Sequence, residues 1–257
     1  MSIILGAVTP TITSASVLKT AFMWFDANDW AGAQTVQSNR GTDSQYTIQP
    51  SSGVTQGSNA NGNYWLFDVY GERLEVLVNG NRDIPNNDKL HLPGAFTFAV
   101  ALRVDNATSS ARVLDKSSST FSAQGYSVRK NTTTANFDFW ANSSATTDGT
   151  AEKEILNSAW SEPTTEEMWV MSMDTNGNYV QYENATSVAS GQSTSVRNEL
   201  VNINGNGIEL TFMAWGESNA SARATQGRIY GIAFWDRVLT SDEVSKVYSY
   251  YDPRLNP

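Results

Sequence analysis

The stretch Phe96-Thr97-Phe98-Ala99-Val100-Ala101-Leu102-Arg103-Val104 decides how this chain is read. Large apolar side chains stand at every second position, with Thr97, Ala99, Ala101 and Arg103 between them. A period of two puts each set on one side of an extended strand, so this segment predicts one strongly apolar face. Working outward, similar short runs occur at Phe22–Phe25, Tyr64–Val69, Leu74–Val78, Arg112–Asp115, Tyr126–Lys130 and Asn136–Trp140. They continue at Met168–Asp174, Asn178–Glu183, Gly207–Trp215 and Arg228–Trp235. Clusters of Gly, Asn, Asp and Ser separate the runs, as turns separate strands. Asp174-Thr175-Asn176-Gly177-Asn178 reads as a hairpin connection, because Asn and Gly tolerate positive φ.

One helix stands out near the end. Thr240-Ser241-Asp242-Glu243 fits a capping box, with Thr240 as N-cap and Glu243 reaching back to it. Val244, Val247, Tyr248 and Tyr251 then recur at helical spacing, and Pro253 marks the expected stop. Many short strands and a single helix predict a sandwich of two antiparallel sheets over residues 21–257. Residues 1–20 are small and polar after a short apolar patch and read as an extended arm. Within it, Ile3, Ile4 and Leu5 are the candidate assembly contact. Burying them on a neighbour would contribute on the order of 1.5–3 kcal/mol each.

Composition narrows the function. The 257 residues suit one all-β domain. Lys and Arg number 17 against 26 Asp and Glu, a net charge of −9 with no dense basic patch, so no nucleic-acid partner is expected. The absence of Cys excludes disulfides, thiolate zinc sites and a cysteine nucleophile. His91 is the one histidine, which excludes multi-His metal centres. No Gly-x-Ser-x-Gly elbow accompanies it, and it reads as a surface or edge residue. The apolar start Ile3–Val8 is too short to span a bilayer, and no Lys or Arg precedes Lys19. Neither membrane insertion nor a signal peptide is expected. The sequons at Asn106, Asn131, Asn142, Asn184 and Asn219 read as chance products of an Asn-, Ser- and Thr-rich chain.

The segment from Gly227 through Asp236-Arg237-Val238-Leu239-Thr240 to Val244 resembles the closing signature of laminin-G-like, concanavalin A-like jelly-roll domains. Upstream, Leu92-Pro93-Gly94-Ala95-Phe96-Thr97-Phe98 is similar to a strand of the same family. The hairpin from Glu167 to Tyr182 resembles its central hairpin. These matches cover about residues 85 to 252. Phe22-Met23-Trp24-Phe25-Asp26-Ala27-Asn28-Asp29 is similar to an opening found ahead of such domains in phage tail and virion proteins. The resemblance implies an all-β sandwich and, as the leading expectation, a non-enzymatic structural or adhesive phage protein, a capsid decoration or tail-associated component. Its partners would be other virion proteins or a second copy through the arm, with host glycans as a further partner, and its location the virion. The alternatives are a glycan-binding lectin module recognising cell-surface polysaccharide and, third, a polysaccharide hydrolase. The fold alone does not choose among them.

Hydrolases of this fold carry Glu and Asp alternating on one strand, where two carboxyls about 5 Å apart can act together. No Glu-x-Asp-x-Glu occurs here, and Glu152-Lys153-Glu154 and Glu166-Glu167 sit in polar, loop-like contexts. No catalytic residue is therefore assigned. No cofactor is expected either. Calcium, the usual ion of the fold, would draw on Asp83 with Asp88, and on Asp115, although no Asp-x-Asp-x-Asp loop is present. Sugar sites commonly set an aromatic ring beside hydrogen-bonding groups. Strand parity offers Trp140 with Asp138 and Trp215 with Glu209 as candidate ligand contacts, the other reading being that these rings pack under a loop.

Overall fold

A computed structural model describes residues 13–32, 35–108, 111–117, 124–130, 136–143, 154–160, 165–203, 209–214 and 224–256. Its strands are β1 (Met23–Asp26), β2 (Gln37–Ser38), β3 (Tyr46–Pro50), β4 (Thr55–Asn59), β5 (Gly62–Phe67) and β6 (Leu74–Val78). They continue as β7 (Phe96–Ala107), β8 (Arg112–Ser117), β9 (Gly125–Lys130), β10 (Phe137–Asn142) and β11 (Glu154–Trp160). The last are β12 (Glu167–Met173), β13 (Asn178–Glu183), β14 (Thr186–Gln192), β15 (Leu210–Phe212) and β16 (Thr225–Trp235). Three helices accompany them: α1 (Ser14–Leu18), α2 (Thr194–Val201) and α3 (Ser241–Leu255).

The strands form two antiparallel sheets. The first runs β14-β13-β12-β7-β16-β5-β4, with β1 pairing the far half of β16. The second runs β11-β10-β9-β8-β15-β6-β3-β2. This is the expected all-β, jelly-roll-like sandwich. The alternating face of β7 points between the sheets, where the Phe98 ring lies 6.1 Å from Phe139 and 5.7 Å from Phe234. Trp160 of one sheet stacks on Trp169 of the other at 5.4 Å.

The other face of β7 is buried too. Ala99 and Ala101 lie with Tyr230, Ala233 and Trp235 under Val244, Val247, Tyr251 and Leu255 of α3. Small residues there let the helix sit close. Gly231 lies directly beneath Tyr251, and an added Cβ would overlap the tyrosine hydroxyl. Three layers result: α1 and α3, then the first sheet, then the second.

Some elements differ from the sequence reading. Residues Ser14–Leu18 are helical rather than extended: the Thr13 side chain caps the turn and Val17 and Leu18 bury beside Trp235. Ile3, Ile4 and Leu5 lie outside the described residues. α2 was not foreseen, and neither were β2, β3, β4, β11 and β14. Helix α3 keeps its capping box but runs past Pro253. Proline forfeits one intrahelical bond, and the turn is held from outside: Asn61 Nδ2 donates to Pro253 O at 2.6 Å and Asn59 Nδ2 to Arg254 O at 2.7 Å.

Candidate functional site

The site is built at one end of the sandwich, where the β12–β13 hairpin turns. Asp174 fixes the tip: its Oδ1 accepts from Asn176 N at 2.8 Å and Asn178 N at 2.9 Å, and its Oδ2 from Asn178 Nδ2 at 2.7 Å. The Asn178 side-chain bond, followed by the backbone N–H groups, holds the Asp174 pKa below the usual range. Gly177 completes the turn at φ +81°, and its carbonyl accepts from Ser193 N at 2.9 Å. A Cβ there would lie 2.5 Å from Ser193 O, so only glycine fits. Ser193 is the N-cap of α2, accepting from Val196 N at 3.3 Å.

Tip and helix together border a shallow, open cleft of about 440 Å³. Its walls are Thr175, Asn176, Asn178, Gln192, Thr194 and Asn198, with Arg197 at the base of α2. Every lining side chain carries a hydroxyl, an amide or the guanidinium, and none is a carboxylate or imidazole. Amides and hydroxyls donate and accept at once, which is what an uncharged polyol requires. The lining thus offers hydrogen-bond donors and acceptors and holds no acid–base pair.

Arg197 is only 4% exposed. Its guanidinium donates to Leu92 O at 3.2 Å and Gly94 O at 2.8 Å, and also to Pro93 O. Burial lowers its pKa from the usual arginine value, though arginine stays charged at any ordinary pH. The clamped loop walls a second cavity of about 180 Å³ lined by Phe22, Leu92, Pro93, Phe96 and Trp235. The exposed pair Lys89–Asp236, 2.9 Å apart, lines its outer side.

Trp140 and Asp138 lie elsewhere, on the outer face of the second sheet. Register places Trp140 opposite Ser127, Ser127 opposite Asp115, Asp115 opposite Thr211 and Thr211 opposite Glu75. Asp138 stands opposite Arg129 and is buried. The Arg129 guanidinium lies over the Trp140 ring, 3.0 Å from its centroid. Glu209 is half-buried and directly precedes β15. Trp215 falls outside the described residues.

Several other acidic residues are engaged structurally. Asp115 pairs with Arg112, and Glu75 with Arg73 at 2.7 Å and Arg82 at 2.9 Å. Asp88 Oδ1 accepts from Tyr46 Oη and from Leu90 N, both at 2.8 Å. Among the described residues no three acidic or histidine side chains converge on a metal-sized site, so Asp83, Asp88 and Asp115 do not form one. Glu166 bonds Arg228 at 2.9 Å. Burial pushes the Glu167 pKa up to about 7 while Trp169 Nε1 donates to it.

His91 is a correction: it is buried, not a surface or edge residue. A 3-10 turn at Lys89–His91, capped by Asp88, directs the ring inward. Its Nε2 lies 2.9 Å from Pro85 O and its Nδ1 3.1 Å from Lys116 Nζ. A ring protonated at Nε2 satisfies both contacts. Lys116 is fully buried, and desolvation takes its pKa down to about 7. Desolvation, and then the Lys116 charge, take His91 down to about 4.

Sequence reasoning named the hairpin tip as a turn but did not see a site there. Its polar residues were indistinguishable from ordinary turn residues until α2 was placed against them.

No protein-family model matches the sequence, and no curated protein does either. Solved structures do match in fold. The binding domain of Paraclostridial Mosquitocidal Protein 1 aligns with a TM-score of 0.61 at 12% identity, over 92% of this chain and 53% of that one. Domain 4 of an extracellular arabinanase of Geobacillus stearothermophilus, solved with arabinotriose, gives 0.56 at 14% identity, over 89% of this chain and 98% of that one. A Trypanosoma rangeli sialidase gives 0.58 at 10% identity, over 91% of this chain and 33% of that one. This chain thus spans about half of the toxin domain and a third of the sialidase. What these structures share with this chain is the fold, an antiparallel β-sandwich.

Proposed function

We propose that this protein is a non-catalytic carbohydrate-binding module that takes uncharged oligosaccharide in the cleft between the β12–β13 tip and α2. The observation that carries this reading is the chemistry of the cleft: amides, hydroxyls and one buried arginine, with no carboxylate. The arabinotriose-bound arabinanase domain, matched over nearly its whole length, supports it. The toxin binding domain, matched over about half its length, is a second binding domain on the same scaffold. This puts the lectin reading ahead of the virion-structural one. The virion reading is kept as a proposal of location: a sugar-binding module mounted on a phage particle would touch host polysaccharide.

The outer face around Trp140 is the second candidate surface. We place it behind the cleft because Arg129 already stacks on that ring. A glycan array followed by titration calorimetry tests the order. Asn176→Ala and Asn198→Ala are expected to abolish or strongly weaken binding, with Trp140→Ala and Trp215→Ala close to the parent. Loss confined to the two tryptophan variants would move the site to the second sheet.

A further inference from the structure

We propose that Arg197, at the floor of the cleft, is the seat of one carboxylate, so that the glycan taken there carries a uronic acid unit. The inference rests on the glycan-binding reading of the cleft and extends it from a neutral chain to one with an acidic unit.

Among the described residues three arginines are buried: Arg112, Arg197 and Arg254. Arg254 is matched by Asp26 at 2.7 Å, and Arg112 by Asp115. Arg197 has no acidic partner and is bonded to carbonyl oxygens alone, those of Leu92, Pro93 and Gly94. Carbonyls solvate a guanidinium without neutralising it, whereas a buried charge is normally paired. Asp174 acts on Arg197 only through space, its own oxygens being committed to Asn176 and Asn178.

One donor is left over. Both Nη groups of Arg197 are bonded to the carbonyls, while its Nε–H carries no hydrogen bond. The stem of the side chain lies beneath the hairpin tip, where a Cβ on Gly177 would come within 3.3 Å of the Arg197 Cβ. From there the residue lines the cleft.

A second feature points the same way. Thr194 is the first residue of the eight-residue α2, and it too lines the cleft. The first N–H groups of a helix have no intrahelical partner, and its dipole favours an anion at that end. An unneutralised buried arginine and a helix N-terminus thus meet at one cleft, whose lining holds no carboxylate. The ligand supplies the negative charge. The free Nε–H and the Thr194 hydroxyl make a two-donor seat, which matches the two oxygens of a carboxylate. A phosphate or sulfate ester brings a third terminal oxygen for which these two leave no donor.

The test is calorimetric titration of the full chain with trigalacturonate and with its fully methyl-esterified form, which share a backbone and differ in charge. Trigalacturonate is expected to bind about tenfold tighter. Arg197→Gln should remove that advantage and leave the ester's affinity unchanged, and Arg197→Lys should keep part of it. Thr194→Val, at an exposed position, should narrow the advantage at least threefold, which keeps the test intact if the Arg197 variants do not fold. Equal affinities for acid and ester, both lost in Asn176→Ala, would overturn the carboxylate seat and leave the glycan-binding reading standing. An acid preference that survives in folded Arg197→Gln, or untouched in Thr194→Val, would overturn it as well. So would tighter binding of a phosphorylated or sulfated glycan than of any uronate on the array. Absence of binding to both trisaccharides overturns the carboxylate seat, and a blank array of neutral and acidic glycans would sink both readings together.

Discussion

Asp26 and Arg254, 228 positions apart, form a buried bidentate ion pair: Nη1 to Oδ1 is 2.7 Å and Nη2 to Oδ2 is 3.1 Å. The same carboxylate accepts from Tyr250 Oη at 2.8 Å and from Asn28 N at 3.0 Å. The end of α3 is thereby locked onto β1, beyond the proline that interrupts its own hydrogen bonding. Removing one partner strands a buried charge, which typically costs about 3–5 kcal/mol. Asp26→Ala should lose stability of that order in urea denaturation. Asp26→Ala together with Arg254→Met should recover part of it.

Thr97 ties the start of β7 to the turn before α3. Its hydroxyl donates to Arg237 O at 2.8 Å and accepts from Leu239 N at 3.0 Å, inside a fully buried site. Thr97→Val keeps the shape and removes both bonds together with the 2.8 Å hydroxyl contact to Ser172 Oγ, leaving buried groups unsatisfied at about 1–3 kcal/mol. A lower thermal midpoint is expected, whereas Thr97→Ser should restore most of the loss.

Gly177→Ala places a side chain on a left-handed backbone and against Ser193 O. The backbone strain alone is roughly 1–2 kcal/mol. The change should separate the hairpin tip from α2, weakening sugar binding more than it lowers the melting temperature. Binding unchanged in a folded Gly177→Ala protein would remove the tip from the site.

The His91–Lys116 pair sets a pH dependence. Both groups are bases whose folded pKa values lie below the unfolded ones, so the unfolded chain binds more protons and stability rises with pH. For His91 the window is about 4 to 6.5, and for Lys116 about 7 to 10.5. The thermal midpoint should climb across the upper window, whereas in the lower one Glu167, raised to about 7 by burial, loses stability as pH rises and offsets the His91 gain. Lys116→Met should flatten the upper rise, and a midpoint that falls between pH 7 and 10 would contradict the burial of a lysine there.

Much of the fold was legible because it rests on alternation. Phe96 to Val104 buries one full apolar face, and Thr240 to Glu243 announces a helix start by local chemistry. β14 was not legible: Thr-Ser-Val-Ala-Ser-Gly-Gln has no apolar period, and it becomes a strand by pairing along β13 as an exposed edge. His91 misled because nothing local shows that Asp88 caps a turn that buries it, 25 residues from its lysine partner. The cleft was hidden for a similar reason. Asn176 and Asn198 are ordinary surface residues in sequence, and only the contact between Gly177 and Ser193 makes them neighbours.

Titration of the wild-type chain and of an Asn176→Ala, Asn198→Ala double variant with the best glycan from an array tests the central claim most directly. The account expects saturable binding by the wild type and at least a tenfold loss in the folded double variant. Binding of equal strength in the two proteins would contradict it.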